Sequence, residues 1–240
     1  VIVGTTHMHE LAFGPTGVNP ALGTPLNPWG AGRVPGGSSS GSGAAVAARL
    51  VPAALGTDTG GSVRIPASLC GVSGLKPTWG RVSRAGCTPL AWSLDHVGPL
   101  ARTVEDLALL LGVMAGHDPA DPSSARLAVP DYTGALGRPL RGVRVGVPRH
   151  FCLAAVDPRV EMAFEAALAS FRAAGAVVCD VTLPSLAYAG PVLGATIMSE
   201  AGAALRPLLG ARVEEVGVDT RIYLELTKVV TAGQYLAAQR

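Results

Sequence analysis

The sequence predicts an α/β fold with a mixed, partly parallel buried sheet covered by helices on both faces. Three observations carry this. Residues 142–183 read strand, helix, strand, an order that lays a second strand parallel to the first. Two Ser/Gly-rich clusters, 36–43 and 57–62, bracket a short apolar segment suited to burial in a sheet. Of the 240 residues, 48% are hydrophobic and only 15% charged. That is enough apolar side chain for a substantial core. A surface so poor in charge suits faces covered by other protein.

Taken in order, residues 1–3 are a short β-branched apolar triplet that predicts a buried strand. Next come His7 and His9, whose spacing of two would place them on one face of a strand. No third ligand stands nearby to make a metal site of them. Residues 14–35 hold several glycines and five prolines and predict irregular chain over a surface. Residues 43–50 predict an Ala-rich helix capped by Ser42 and ended by Pro52, and 53–56 a buried strand. Ile65-Pro66 and residues 76–78 read as turns. A helix starts at Thr103, with Asp106 completing a capping-box-like pair, and ends near Gly116. Residues 142–147 predict a strand, Asp157-Pro158 opens a helix that ends at Gly175, and 176–183 predict the next strand. Beyond Ser185 the chain is Ala-rich and helical, interrupted at Pro191, Pro207 and Gly217.

Composition narrows the function. The formal net charge is +2, the only lysines are Lys76 and Lys228, and no basic run occurs, so no direct nucleic-acid partner is expected. No run of 18 apolar residues offers a membrane span. The start carries no basic region and no cleavage site, which predicts a cytoplasmic protein. Cys70, Cys87, Cys152 and Cys179 lack metal-ligand spacing and read as buried thiols. The chain opens on Val1 and stops within a helical pattern, so we expect part of a longer protein. The expected organisation is a single partial domain over 1–240, a core at 1–130 followed by the strand–helix–strand unit and a helical region.

Three chemistries compete for the Gly/Ser clusters. The first is nucleotide binding. A phosphate loop needs a lysine after its glycines, and none follows. A dinucleotide fingerprint needs a strand directly before Gly41-Ser42-Gly43, where irregular chain stands instead. The second is a Ser-His-Asp hydrolase, which needs GxSxG; residues 60–64 (GGSVR) do not match it, and His96, His117 and His150 sit in turn-like contexts. The third is a serine nucleophile activated by another serine and a lysine.

Here the residues become specific. The stretch 36–67 contains GGSSSGSGAAVA and LGTDTGGSVRIPA. Downstream stand GLKPTWGRVSRAG and SLDHVGPLARTVEDLALLLGVMAGHDPADPSS, and upstream VIVGTTHMHELAFG. Together they resemble the amidase signature family, strongly over residues 1 to about 130 and more loosely beyond. The resemblance implies a Ser–cis-Ser–Lys triad. Ser62 matches the nucleophile that forms an acyl-enzyme. Ser38 matches the proton-relaying serine, which in the family takes part in a cis peptide bond. The backbone N–H groups of Thr59, Gly60, Gly61 and Ser62 match an oxyanion hole. Asp58, Arg64 and Ser39 match supporting positions, and for Ser39 turn formation is the competing reading. The implied reaction is hydrolysis of a small carboxamide to carboxylate and ammonia or an amine, with no cofactor and no metal; a homodimer is a compatible assembly.

The pattern departs at the third catalytic group. The family's lysine lies upstream of everything here, and Lys76 in the GLKP segment is not that residue. The expectation is therefore an amidase whose 240-residue portion is inactive alone. Two alternatives stand beside it. One is the glutaminase subunit of an aspartyl/glutamyl-tRNA amidotransferase, which would need partner proteins. The other is a non-catalytic interaction protein that keeps the fold, against which the intact Ser38, Ser62 and glycine set argues.

Overall fold

A computed structural model describes residues 1–240. The chain divides into two compact units, one formed by residues 1–134 with 193–240, the other by 135–192.

The first unit is built around helix α1 (Ser40–Ala47), strand β1 (Ala53–Asp58), helix α2 (Arg64–Cys70), strands β2 (Ser73–Gly74) and β3 (His96–Ala101), and helix α3 (Val104–Met114). β3 lies at the centre of a three-stranded antiparallel sheet, with β1 and β2 on its flanks. The register runs from Ala53 opposite Ala101 to Asp58 opposite His96. Val46 of α1, Ala67 of α2 and Leu100 of β3 close a small core with Val63. α3 starts as its cap predicts: the Thr103 hydroxyl accepts the Asp106 N–H at 3.1 Å. It ends before Gly116, which takes a positive φ of 143°.

The second unit holds β4 (Arg144–Val147), α4 (Arg149–Cys152), α5 (Pro158–Ala173) and β5 (Val177–Asp180). β4 and β5 pair in parallel, as the strand–helix–strand order predicts. Asp157 caps α5 by accepting the Arg159 N–H at 2.8 Å, and Gly175 follows the helix at φ 91°.

The chain then returns to the first unit with α6 (Ala189–Leu209, from Leu193 on), α7 (Val218–Leu226) and α8 (Ala232–Gln239). A second core of that unit gathers Ala201 and Leu205 of α6, Leu224 of α7, Phe13, Leu90 and Val216. The N-terminal segment therefore packs against helices about 200 residues later in the chain.

Several local expectations are corrected. Residues 1–3 form no strand and are exposed; β-branched residues make a strand only where a neighbour offers a hydrogen-bonding edge. Ser42 lies inside α1, not at its start. Its hydroxyl donates to the Leu55 carbonyl at 2.7 Å, tying α1 to β1. α1 ends at Ala47, before Pro52, where Arg49 turns to φ 60°. Ile65-Pro66 is no turn but the first turn of α2, where a proline's missing N–H costs nothing because that donor has no helical partner. Pro191 sits likewise in the first turn of α6, which runs on to Leu209 through Pro207. The parallel pair is a sheet of its own, separate from the antiparallel one. Of the cysteines only Cys70 is buried; Cys87 and Cys152 are exposed and Cys179 is intermediate.

Candidate active site

The site begins where β1 ends. Asp58, the last residue of the strand, is fully buried. The chain then turns through residues 59–63 into α2. Two oxygens of one carboxylate hold that turn. Asp58 Oδ1 accepts the Gly61 N–H at 2.8 Å, and Oδ2 accepts those of Val63 at 3.2 Å and Arg64 at 3.4 Å. The Arg64 guanidinium reaches back with Nε to Oδ2 at 3.0 Å and Nη2 to Oδ1 at 2.9 Å. Burial alone would push the Asp58 carboxyl up; the Arg64 hydrogen bond and charge, with the Val63 and Arg64 N–H groups, hold it below its ordinary value instead. Arg64 is raised in return. Gly61 sits at φ 134°, a conformation that L side chains rarely adopt.

Ser62 is half-buried at the head of this turn. With the Gly61 N–H given to Asp58, the N–H groups of Thr59, Gly60 and Ser62 donate to no acceptor of the protein. The carboxylate thus anchors the turn through its Gly61, Val63 and Arg64 amides and leaves those of Thr59, Gly60 and Ser62 without a protein acceptor.

The first Gly/Ser cluster lies alongside. The Ser39 N–H donates to the Ser62 carbonyl at 3.2 Å. The Ser39 hydroxyl accepts the Thr57 N–H at 3.1 Å and lies 3.2 Å from the Thr57 carbonyl. Approach is this close because residue 56 is glycine; a Cβ there would stand 2.5 Å from Ser39 Oγ. The Gly37–Ser38 peptide bond is cis. The Ser38 carbonyl accepts the N–H groups of His9 at 2.9 Å and Ser40 at 2.8 Å. Its hydroxyl is buried and has no hydrogen-bond partner.

Behind Ser38 stands a support that sequence reasoning missed. His9 is fully buried, and its Nδ1 accepts the Gly17 N–H at 3.2 Å. Nδ1 is thus the unprotonated nitrogen, and burial pushes the ring's pKa down, against the pull of Asp219 and Glu10. Residues 14–17 in turn press on Gly37, where a Cβ would meet the Gly14 carbonyl at 2.7 Å. Nothing in the residue types signals this role, since His7 and His9 differ only in which one the chain folds inward.

Lys76 is held elsewhere. Its ammonium donates to the Pro77 carbonyl at 2.8 Å and stands 3.2 Å from His96 Nε2. His96 Nδ1 faces the carbonyls of Leu94 at 2.5 Å and Asp58 at 3.3 Å, so the imidazole proton sits on Nδ1 and Nε2 accepts from Lys76. Burial lowers the pKa of both groups. Beside Thr59 opens a cavity of about 220 Å³ whose walls include Arg84, Leu90, Trp92, Asp95 and His96.

Known proteins share this arrangement of sequence and fold. A family model described as Amidase matches residues 1–234. One component of the glutamyl-tRNA(Gln) amidotransferase of Chloroflexus aurantiacus is 51% identical over 212 residues, covering 88% of this chain and 44% of that protein. A Pseudomonas putida protein named amidase is 50% identical over 241 residues, covering 100% of this chain and 51% of its own. Among solved structures, the peptide amidase of Stenotrophomonas maltophilia superposes with a TM-score of 0.81 at 32% identity, covering 100% of this chain and 55% of that one. The corresponding component of the Thermotoga maritima glutamyl-tRNA(Gln) amidotransferase gives a TM-score of 0.83 at 35% identity, covering 100% and 51%. The chain spans about half the length of the curated relatives it matches.

Proposed function

The chain belongs to the amidase signature family, and from that premise we propose that it carries the nucleophilic half of a serine amidase acting on a small carboxamide. Ser62 Oγ attacks the carbonyl carbon, and the carbonyl π electrons move onto oxygen. The N–H groups of Thr59, Gly60 and Ser62 receive that oxyanion, while the Gly61 N–H shares the same turn and is anchored on Asp58. Each such donor contributes about 3 kcal/mol to the transition state. The Ser62 hydroxyl, not hydrogen-bonded to Ser38 in the resting chain, turns towards it in the reacting complex and passes its proton to Ser38 and on to a lysine in the remainder of the polypeptide. The tetrahedral intermediate then collapses, the C–N bond breaks, and nitrogen leaves with the proton. Water cleaves the acyl–Ser62 ester and releases the carboxylate. No cofactor enters these steps.

The observation that carries this reading is the Ser38 hydroxyl. It is buried, next to the Ser62 loop, and has no partner in these 240 residues. A buried hydroxyl without a hydrogen bond costs about 1–3 kcal/mol. A neutral lysine amine arriving from the rest of the protein would relieve that cost and accept the relayed proton.

The test is fluorophosphonate labelling of the complete polypeptide, read as a mass adduct on Ser62 together with amide turnover. Ser62→Ala is expected to remove both. Turnover that survives Ser62→Ala would sink the proposal. The isolated 240-residue chain is expected to be inactive, and Ser62-dependent turnover by it would overturn that part alone.

A second reading, the glutaminase component of a tRNA-dependent amidotransferase, rests on the 51% identity to such proteins. It predicts glutamine hydrolysis that rises when the partner proteins are added. No helix is long and apolar enough to cross a membrane; cytoplasmic location and a homodimer are part of the proposal, checked by fractionation and sedimentation.

A further inference from the structure

We propose that Asp95 is a positioning residue that aims the Thr59 N–H at the developing oxyanion; the inference rests on the amidase reading above. Thr59 is buried, and its hydroxyl donates to Asp95 Oδ1 at 2.5 Å across 36 positions of sequence. The same carboxylate accepts the Leu90 N–H at 2.9 Å and the Ala91 N–H at 3.1 Å. The Asp95 N–H donates to the Ala91 carbonyl at 2.8 Å. Asp95 therefore closes the 90–95 turn on itself and presents one oxygen to Thr59.

That turn is fixed from its far side. Ser93 donates its N–H to Glu200 Oε2 at 2.9 Å and its hydroxyl to Oε1 at 2.5 Å. Glu200, on α6, is 1% exposed and takes a further hydrogen bond from the Tyr235 hydroxyl at 3.1 Å. Arg84 holds the Trp92 carbonyl and, at 3.4 Å, that of Asp95. α6 also caps the oxyanion turn directly, since a Cβ on Gly60 would meet Ile197 Cδ1 at 3.2 Å. One helix thus approaches the turn twice, with Ile197 close to Gly60 and through Glu200, Ser93 and Asp95 at Thr59.

The residue type matters. A carboxylate is acceptor-only and can serve three donors on two oxygens. An asparagine at 95 has one acceptor oxygen, and its amide hydrogens would face N–H or O–H groups. With the Thr59 hydroxyl released, the side chain can rotate and the adjoining peptide can tilt. Small misplacements of a catalytic group cost up to about 100-fold in rate. In this scheme Asp95, although it lines the cavity beside Thr59, acts through Thr59, so its effect falls on the chemical step.

The experiment measures kcat, KM and the Ser62 fluorophosphonate labelling rate in the complete polypeptide for wild type, Asp95→Asn, Thr59→Val and the double variant. Asp95→Asn and Thr59→Val are each expected to lower kcat and labelling about 10- to 100-fold, with KM changed less than about 3-fold. The double variant is expected to lose no more than the worse single one, because both break the same hydrogen bond. Thr59→Val keeps the side-chain volume, so it carries the test if Asp95→Asn fails to fold. Active wild type with Thr59→Val within about 3-fold in kcat, or losses that multiply in the double variant, overturns the inference. A wild-type polypeptide with no Ser62-dependent labelling or turnover overturns the amidase reading, and this inference with it.

Discussion

Replacing Asp58 by asparagine removes one charge from beneath the Ser62 turn. Five donors converge on the Asp58 oxygens: three backbone N–H groups and two from Arg64. Asparagine keeps one acceptor and turns the other position into a donor that faces N–H groups. Breaking a fully buried ion pair costs about 3–5 kcal/mol. The Arg64 side chain is 52% exposed, so water takes over its charge, and the figure falls to about 2–3 kcal/mol. At about 2–4 °C per kcal/mol for this size, the melting temperature drops by about 4–12 °C. The Asp58 carboxyl lies below its ordinary value in the fold. Its stabilisation is therefore complete above the unfolded carboxyl's pKa of about 3.9 and is lost as pH falls through the lower folded value. Circular dichroism melts at pH 7 and below about pH 4 read both effects, and the gap to wild type should narrow on acidification. A gap under about 2 °C at pH 7, or one that widens in acid, would refute the reasoning.

Two more predictions concern the support behind Ser38. Gly14→Ala places a Cβ 2.1 Å from His9 Nε2; with that ring fully buried, the variant should lose about 1–3 kcal/mol and slow Ser62 labelling, and a melting temperature equal to wild type would count against it. His9 has a lowered pKa because of burial, so its contribution is present above the ordinary imidazole value of about 6.5 and declines as pH falls towards the folded value. Between pH 7.5 and 5.5, about the range of the imidazole titration, wild type should lose melting temperature relative to His9→Gln; parallel profiles would exclude this.

How far the sequence could be read followed the range of the interactions. Thr103 and Asp157 announced their helices because a cap is settled within three residues. The turn carrying Ser62 was marked by the family resemblance; its local part is the Asp58–Arg64 pair, six positions apart. Helix α2 was not, because Pro66 reads as a breaker unless one knows that it falls in a first turn. Strand β3, with Gly98 and Pro99 inside, has no alternating pattern and exists through pairing with β1 and β2. Ser42 looked like a cap and instead bonds a strand carbonyl 13 residues away. The supports of the site were the least visible. Thr59 meets Asp95 across 36 residues and Ser93 meets Glu200 across 107, and no local pattern encodes such pairings. The exposed cysteines show that a chemically apolar residue need not be a buried one.

The pairing of Asp58 with Arg64 also sets the electric field at the turn. A lone buried carboxylate under residues 59–62 would oppose any negative charge gathering above it. The guanidinium, seated on both oxygens of that carboxylate, offsets its charge and so favours the amide dipoles of the turn. Solvent acts on the two members unequally, because Asp58 is sealed from water while the Arg64 side chain is 52% exposed. On the proposed amidase reading, the turn is anchored by an anion and still has to receive one, a combination that a neutral anchor would supply only with weaker hydrogen bonds.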